Sequence, residues 1–306
     1  MPPATVRVIH AGIATTIQDA GRPGLSASGI GRAGAADRSA YELANRLVGN
    51  EVGAAVIETS GALVVRTDHA VLLALTGARA EATVDAGSGA GSGAGSGAGS
   101  GAGAHTVWGS AIAHCAPTSL PAGSVIRIAV PRRGLRTYLA FRGGIIVPAV
   151  LSSRSRDTLA ALGPIVVDGS VLPIGADPRD PVLVDVAPQR ERSSVVRVMP
   201  GPRRDWFTDE AWTHISSGTY TVGNETSRVG ARLHGAALER ARNDELPSEG
   251  MVLGAIQVPH NLQPIVMLAD HPVTGGYPVI AVVHFDDVAV VAQAAPGTSL
   301  RFALSR

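Results

Sequence analysis

Short apolar stretches rich in β-branched residues recur along the chain, and glycine and proline separate them. Runs of this length between turn residues are typical of β-strands. The predicted strands cover residues 6–9, 62–66, 70–76, 125–130, 137–141, 195–199, 264–268, 278–284, 288–292 and 299–303. Because a doubly wound sheet needs long helices between its strands, the pattern favours a mainly β protein built of barrels or sandwiches.

Two segments have helical spacing instead. Apolar residues repeat every three to four positions over residues 37–48, with Asp37 in the place of an N-cap. A second helix is predicted to open at Thr208, where Asp209 and Glu210 lie in the first turn and favour the positive end of the helix dipole.

Two further stretches mark the organisation of the chain. Residues 86–104 repeat alanine, glycine and serine, so they have no apolar face to bury and glycine makes ordering costly. Strand-like residues at 71–76 and 107–108 flank this tract, which predicts a flexible hairpin tip inside the first domain. The polar stretch 185–194 is the better boundary. We therefore expect domains at 1–190 and 191–306.

Composition indicates a globular protein that has no excess of charge with which to attract a highly charged partner. The 306 residues are 45% hydrophobic and 17% charged, with a formal net charge of +1. Such a balance predicts no nucleic-acid partner. The N-terminal residues lack a secretory signal pattern and no run of about eighteen apolar residues occurs, so we expect a cytoplasmic protein with no membrane partner.

Two residue counts exclude whole classes of chemistry. Cys115 is the single cysteine, which rules out an intramolecular disulfide and cysteine-cluster metal sites, and favours a small core residue over a nucleophile. All 26 basic residues are arginine. Without lysine the chain has no Walker-type phosphate loop, Schiff base, Ser-Lys hydrolase or biotinylated carrier lysine.

Three segments combine glycine with hydrogen-bonding side chains. In residues 15–37, Gln18, Asp19, Arg22 and Asp37 stand among glycines that allow close backbone approach, although a long irregular turn explains them equally well. In residues 225–233, Ser227, Arg228 and Arg232 are suited to binding a carboxylate or phosphate. Arginine beside glycine also caps strand carbonyls, so both interpretations stay open.

Residues 248–278 are the third and densest such segment. Asp270 follows a predicted strand, where loop residues usually meet ligands, and alternation puts Gln257 on one face of a short strand. A turn cap explains Asp270 as well, and a half-buried hydroxyl explains Tyr277. The nine histidines are dispersed, so no metal site is expected, and GxSxG is absent.

Ordered motifs in these segments carry a family resemblance. They read TTIQDAGRPG, GAADRSAYELANRLVGN, LAFRGGI, SSRSRDTLAALG, GPRRDWFT, SRVGARL, SEGMVLGAIQVP and LADHPVTGGYPVIA. In order and spacing they are similar to the allophanate hydrolase subunit 2 family, also called the biotin-dependent carboxyltransferase family. The resemblance implies two cyclophilin-like β-barrel domains with a few short helices.

The resemblance also implies a role in a complex. The first expectation is a subunit of an ATP-dependent amide or lactam hydrolase, like the C-type subunit of 5-oxoprolinase, whose complex opens 5-oxoproline to glutamate. We expect this chain to be inactive alone. Its partners would be a KipI-like subunit 1 homologue and a LamB/YcsF-like third subunit, with ATP used by the complex and no covalently bound cofactor. One alternative is a urea carboxylase-like carboxyltransferase that takes biotin from a separate carrier. Another is a KipA-like regulator that binds a KipI-like partner.

Site roles follow from the same resemblance. The proposed catalytic residues are Asp270, Arg228, Gln257 and Tyr277, and the proposed substrate-binding residues are Gln18, Asp19, Arg22, Asp37, Arg142, Ser227, Glu249 and Thr274. Arginine and backbone N–H groups would stabilise a developing oxyanion. The chain departs from the family at 271–273, where His-Pro-Val replaces the more frequent Arg-Gln-Thr and removes one anion-binding arginine.

Overall fold

The computed structural model describes residues 3–85, 109–178, 182, 186–187, 193–242 and 244–305. Within them the chain forms mostly short strands and three short α-helices. The strands are β1 Thr5–His10, β2 Thr16–Gln18, β3 Val56–Thr59, β4 Leu63–Thr67, β5 Val71–Arg79, β6 Ala82–Asp85, β7 Ser110–Ala111, β8 Pro117–Leu120, β9 Val125–Ile128, β10 Arg133–Phe141, β11 Val171–Pro173, β12 Val195–Pro200, β13 Thr219–Val222, β14 Gly230–His234, β15 Glu249–Gly250, β16 Ala255–Gln257, β17 Ile265–Met267, β18 Thr274–Gly275, β19 Val279–Val283 and β20 Ser299–Leu304. The helices are α1 Arg38–Leu47, α2 Asp209–Ser217 and α3 Val288–Ala292.

The strands divide into two groups along the chain. In the N-terminal half a six-stranded sheet has the order β11-β1-β4-β9-β6-β7, and a five-stranded sheet has the order β2-β3-β10-β5-β8. In the C-terminal half β12-β19-β16-β17-β14-β13-β20 close into a barrel, and β15 pairs with β18. The mainly β fold with a few short helices is confirmed. Because no ladder among the described strands joins the two halves, the topology supports a division between β11 and β12.

Alternating burial places the core of each half. In β1, Val6 and Val8 point inward while Arg7 and Ile9 are exposed, as expected for a strand with one solvated face. The inward residues of the two N-terminal sheets form one apolar cluster, and those of the barrel form another. Helix α1 lies against the five-stranded sheet and buries Tyr41 in a third cluster. Each half therefore has its own core.

Both predicted helix starts are confirmed. The Asp37 carboxylate accepts from the Ala40 N–H at 3.1 Å, and the Thr208 hydroxyl accepts from the Ala211 N–H at 3.1 Å. Each side chain satisfies a backbone donor that the first turn of a helix leaves free. The local capping signal was therefore sufficient at these two positions.

The predicted strand at residues 288–292 is wrong, because this segment forms helix α3. Its β-branched composition favoured a strand, but Val288, Val291 and Ala292 are the buried residues. That spacing of three and four is helical, and a 3-10 turn at Phe285–Asp287 leads into it.

The alanine, glycine and serine tract at 86–104 lies outside the described residues, as do most of residues 185–194. The strands beside the tract form a hairpin, since Thr83 pairs with Ala111 and Val84 with Ser110. The arms are therefore β6 and β7. The segment 71–76, predicted to flank the tract, belongs instead to β5, which pairs with β8 and β10. Among the described helices, none is long and apolar enough to span a membrane.

The two N-cap side chains differ in the hydrogen bonds that they accept besides the cap bond, so variants at these two positions can be compared directly. Asp37 is fully buried and also accepts from Gln293 Nε2 at 2.8 Å, whereas among the described residues the Thr208 side chain accepts only the cap bond. We expect Thr208→Ala to lower the free energy of unfolding by about 1 kcal/mol. Asp37→Ala should lower it by about 2–4 kcal/mol, because it also leaves a buried amide short of an acceptor. Urea unfolding of both variants measures these losses in the free energy of unfolding. Equal losses would contradict a stabilising role for the buried hydrogen bond between Gln293 and Asp37.

Candidate functional site

A cleft of about 680 Å³ lies between the two halves of the chain. Its N-terminal wall comes from the glycine-rich segment after β2 and from α1, and its C-terminal wall comes from the loops after β15 and β17 and from the start of α3. Its polar lining residues are Asp19, Arg32, Arg38, Ser39, Tyr41, Glu42, His271 and Asp286. The opposite wall combines apolar side chains, including those of Leu253, Phe285 and Val288, with the polar side chains of His271 and Asp286.

Backbone pairing shapes the N-terminal wall. The Ala35 N–H donates to the Asp19 carbonyl at 3.0 Å, and the Arg22 N–H donates to the Arg32 carbonyl at 2.8 Å. Gly21 makes this pairing possible, because it has a φ of +81° and a Cβ there would lie 2.5 Å from the Arg32 carbonyl oxygen. Arg32 is thereby fixed at the cleft.

Asp19 lies at the cleft but is fully occupied by the protein. Its carboxylate accepts from Ser153 Oγ at 2.6 Å, Ser155 Oγ at 2.6 Å, the Arg154 N–H at 2.6 Å and the Gly21 N–H at 2.8 Å. A carboxylate with this many donors holds a loop in place. Asp19 therefore fixes the 153–155 loop behind the cleft wall.

Gln18 and Arg22 are buried behind the same wall and do not line the cleft. Gln18 Nε2 donates to the Arg156 carbonyl at 3.0 Å, and Arg22 Nη2 donates to the Ser155 carbonyl at 2.6 Å. Within the described residues, Gln18 Oε1 and Arg22 Nη1 have no hydrogen-bond partner. Of the four substrate-binding residues predicted in this segment, only Asp19 lines the cleft, and Gln18 and Arg22 lie one layer behind it.

Tyr41 is the distinctive group of the cleft. Its side chain is 1% exposed, and its hydroxyl has no hydrogen-bond partner in the described part of the chain. Burial raises the Tyr41 pKa above its ordinary value, and the carboxylates of Asp19 and Glu42 raise it further. The hydroxyl is therefore neutral at physiological pH. A buried hydroxyl without a protein partner is energetically costly.

A buried ionic cluster lies directly behind the cleft and joins the two halves. Arg228 Nε and Nη2 donate to the two oxygens of Asp270 at 3.0 and 2.9 Å, and Nη1 donates to Glu58 in β3. Arg228 Nη2 also donates to the Gly34 carbonyl at 2.6 Å. Every guanidinium nitrogen is thus bonded to protein.

A second arginine balances the charges of this cluster. Arg136 Nε lies 3.5 Å from Glu58 Oε1, so two arginines meet the carboxylates of Glu58 and Asp270. The Tyr138 hydroxyl donates to Glu58 Oε2 at 2.8 Å. A buried cluster is tolerated when its charges cancel and its hydrogen bonds are complete, and this one meets both conditions.

Burial and the neighbouring charges act in opposite directions on the two arginines. Burial lowers the pKa of Arg228, but the carboxylates of Glu58 and Asp270 outweigh it and raise the pKa above its ordinary value. Burial lowers the pKa of Arg136, and the positive charge of Arg228 lowers it further, although the carboxylate of Glu58 acts to raise it. Burial, with Glu58 and Asp37, holds the Tyr138 pKa well above its ordinary value, so its hydroxyl remains a donor.

The cleft and the cluster share backbone. The Ala36 N–H, at the cleft wall, donates to Glu58 Oε2 at 3.0 Å, and Ala269, on the opposite wall, precedes Asp270. Asp270 also accepts from the Thr158 N–H at 2.9 Å. The cluster therefore sets the separation of the two cleft walls. The catalytic assignment of Arg228 and Asp270 stays a prediction, and the direct observation is that their polar atoms bond to protein.

The remaining predicted site residues lie elsewhere. Asp37 caps α1, and Arg142 donates to the Val48 carbonyl at the end of the same helix at 3.0 Å and pairs with Asp177 at 2.7 Å. Ser227 is exposed, and its hydroxyl accepts from the Val229 N–H at 3.2 Å.

A second group gathers around the β15–β18 ladder, where Glu249 pairs with Gly275 and Gly250 with Thr274. Gln257 Nε2 donates to the Tyr277 carbonyl at 3.0 Å, and Glu249 forms an ion pair with Arg203. The structure thus brings Glu249, Gln257, Thr274 and Tyr277 together, but not into the lining of the cleft.

Sequence reasoning missed Arg32 and Tyr41 in the cleft and Glu58, Arg136 and Tyr138 in the cluster. A charged residue inside an apolar strand was the available signal, as for Glu58 in VIET. Such a residue needs a buried partner, yet sequence does not name it. Among the described residues, no group of three or more histidine, cysteine, aspartate and glutamate side chains gathers to hold a metal.

Removing one partner of the cluster should destabilise the protein strongly. Arg228→Met leaves two buried carboxylates short of a counter-charge, and we expect a loss of about 3–5 kcal/mol in the free energy of unfolding. Arg232→Met is the matched control, because Arg232 forms an exposed pair with Glu225 and should cost less than about 1 kcal/mol. Denaturant unfolding compares them, and a similar small loss in both would contradict the assigned role of the cluster.

Comparison with known proteins places this architecture. The sequence model of one protein family, described as the carboxyltransferase domain, subdomain A and B, matches residues 28–304. The C-type subunit of 5-oxoprolinase from Escherichia coli is 35% identical over 302 residues, which cover 97% of this chain and 90% of that protein. The urea amidolyase of Saccharomyces cerevisiae is 28% identical over 98% of this chain, which covers 16% of that enzyme.

A solved structure agrees along the whole chain. The crystal structure of TTHA0988 matches with a TM-score of 0.83 and 29% identity, and this chain spans 56% of its length. The urea amidolyase of K. lactis shares the fold at a TM-score of 0.83. Since the family model matches residues 28–304 and a relative of 35% identity covers 97% of the chain, this chain belongs to the carboxyltransferase domain, subdomain A and B, family.

Proposed function

We propose that this chain is a subunit of an ATP-dependent hydrolase that opens 5-oxoproline to glutamate. The observation that carries the proposal is 35% identity to the C-type subunit of Escherichia coli 5-oxoprolinase across 97% of this chain. A second relative of that name, from Haemophilus influenzae, is 29% identical over 94% of the chain.

The cleft between the two halves is the proposed reaction site. Opening a lactam adds water across the C–N bond, so that hydroxide ends on the carbonyl carbon and a proton on the nitrogen. The carbonyl must be polarised and its developing charge stabilised, which neutral donors in a water-poor cleft do well. The Tyr41 hydroxyl is such a donor. Arg228 and Asp270 support this chemistry from behind, because they fix the cleft walls.

The proposed complex supplies what this chain lacks. A lysine-free sequence holds no Walker-type phosphate loop, so we assign ATP binding to a partner. We expect a KipI-like subunit 1 homologue and a LamB/YcsF-like subunit, and we expect the chain to be inactive alone. TTHA0988 supports an association with further protein, because this chain covers only 56% of it. The use of ATP favours a cytoplasmic reaction.

A carboxyltransferase role is the second candidate. The matching family model is described as a carboxyltransferase domain, and the urea amidolyase of Saccharomyces cerevisiae aligns with 98% of this chain. A cleft of about 680 Å³ also has room for a small amide and the end of a carrier arm. In this role carboxybiotin on a separate protein would donate its carboxyl group to an amide.

Reconstitution separates the two candidates. We expect 5-oxoproline-dependent release of ADP and glutamate from the chain combined with its partner subunits, and loss of both products when this chain is omitted. A parallel assay supplies a biotinylated carrier, bicarbonate, ATP and urea. Turnover only in that second assay would contradict the lactam proposal and favour carboxyl transfer.

A further inference from the structure

The cleft contains one arginine that the protein leaves without a counter-charge. Arg32 is half-buried in its wall and has no carboxylate within 4.0 Å in the described ranges of the chain. Arg38, in the same cleft, pairs with Glu42 at 2.7 Å, and Asp19 is saturated by four other donors. Among the described residues, the N-terminal wall of the cleft therefore presents one positive charge without a carboxylate partner, while the facing wall carries the exposed carboxylate of Asp286.

The free arginine is matched by a free hydroxyl. Tyr41 belongs to the first turn of α1, and its buried hydroxyl bonds to no described group. Arg32 and Tyr41 line the same cleft from the same wall. A guanidinium favours a carboxylate, whereas a neutral phenol favours a carbonyl or amide. The wall therefore offers two different recognition points.

The facing wall completes the chemistry of the cleft. Leu253, Ala269 and Val288 present apolar surface there, Phe285 is an exposed aromatic ring, and His271 and Asp286 are the polar residues of this wall. The apolar part of this surface suits the methylene groups of a small ring. A ligand with an apolar edge, a carbonyl and a carboxylate would satisfy both walls.

We propose that this cleft selects lactams that carry a carboxylate, with Arg32 binding the carboxylate and the Tyr41 hydroxyl donating to the lactam carbonyl. This inference rests on the proposed function and deepens it, because it names the substrate class and the specificity-determining residue. Arg32 then distinguishes an acidic lactam from a neutral amide such as urea.

The test compares two lactams that differ only in the carboxylate. The reconstituted complex is assayed for ADP release with 5-oxoproline and with 2-pyrrolidinone. Arg32→Met should raise the KM for 5-oxoproline and lower its kcat/KM by about 10- to 100-fold, the usual worth of a charge-assisted hydrogen bond. The kcat/KM for 2-pyrrolidinone should not change. Arg46→Met, which alters an exposed arginine of α1 outside the cleft, should leave both values unchanged.

Tyr41→Phe removes only the hydroxyl and should lower kcat/KM for both lactams. Circular dichroism confirms that each variant folds. An unchanged preference for 5-oxoproline in Arg32→Met would overturn the proposal, as would an equal loss on both lactams.

Direct binding distinguishes this inference from the proposed function. If the complete complex turns over no 5-oxoproline, the proposed function fails. Ligand-observed NMR of the full chain then asks whether 5-oxoproline binds and 2-pyrrolidinone does not, and whether Arg32→Met removes the difference. Selective binding lost in Arg32→Met supports carboxylate selection, and equal or absent binding of the two lactams overturns it.

Discussion

The buried pairing of Arg228 with Asp270 and Glu58 is the interaction on which the site depends. Asp270 belongs to the barrel half and Glu58 to the sheet half, so one guanidinium holds both. Such a cluster adds little net stability compared with apolar packing, because removing charges from water is costly. Its contribution is geometric, since the bonds form only at one relative placement of the two halves.

That placement creates the cleft and also separates two kinds of polar residue. Asp19, Arg228 and Asp270 have the acidic and basic character expected of a catalytic centre, yet the protein itself uses their hydrogen bonds. Arg32 and Tyr41 look ordinary in the sequence, yet they meet the cleft without partners among the described side chains. The groups without a protein partner in this cleft are therefore our candidates for contacting a ligand, and residue type alone did not single them out.

Local features of this fold were readable from the sequence, and distant pairings were not. Strand alternation and the caps at Asp37 and Thr208 act within a few residues, so pattern reasoning found them. The segment 288–292 failed because five β-branched and alanine residues do not distinguish a strand from one helical turn. Arg228 was predicted as an anion-binding residue, but its partner Glu58 lies 170 residues away, and no local pattern encodes that pairing. The lack of a partner for Arg32 and Tyr41 among the described residues depends on the same long-range packing.

The most direct measurement is a crystal structure of the reconstituted complex with 5-oxoproline bound. The account predicts the ligand in the cleft between the two halves, with its carboxylate at Arg32, its lactam carbonyl within hydrogen-bond distance of the Tyr41 hydroxyl, and the Arg228 cluster intact behind it. A ligand bound on another subunit, or at the β15–β18 ladder with the cleft empty, would contradict it.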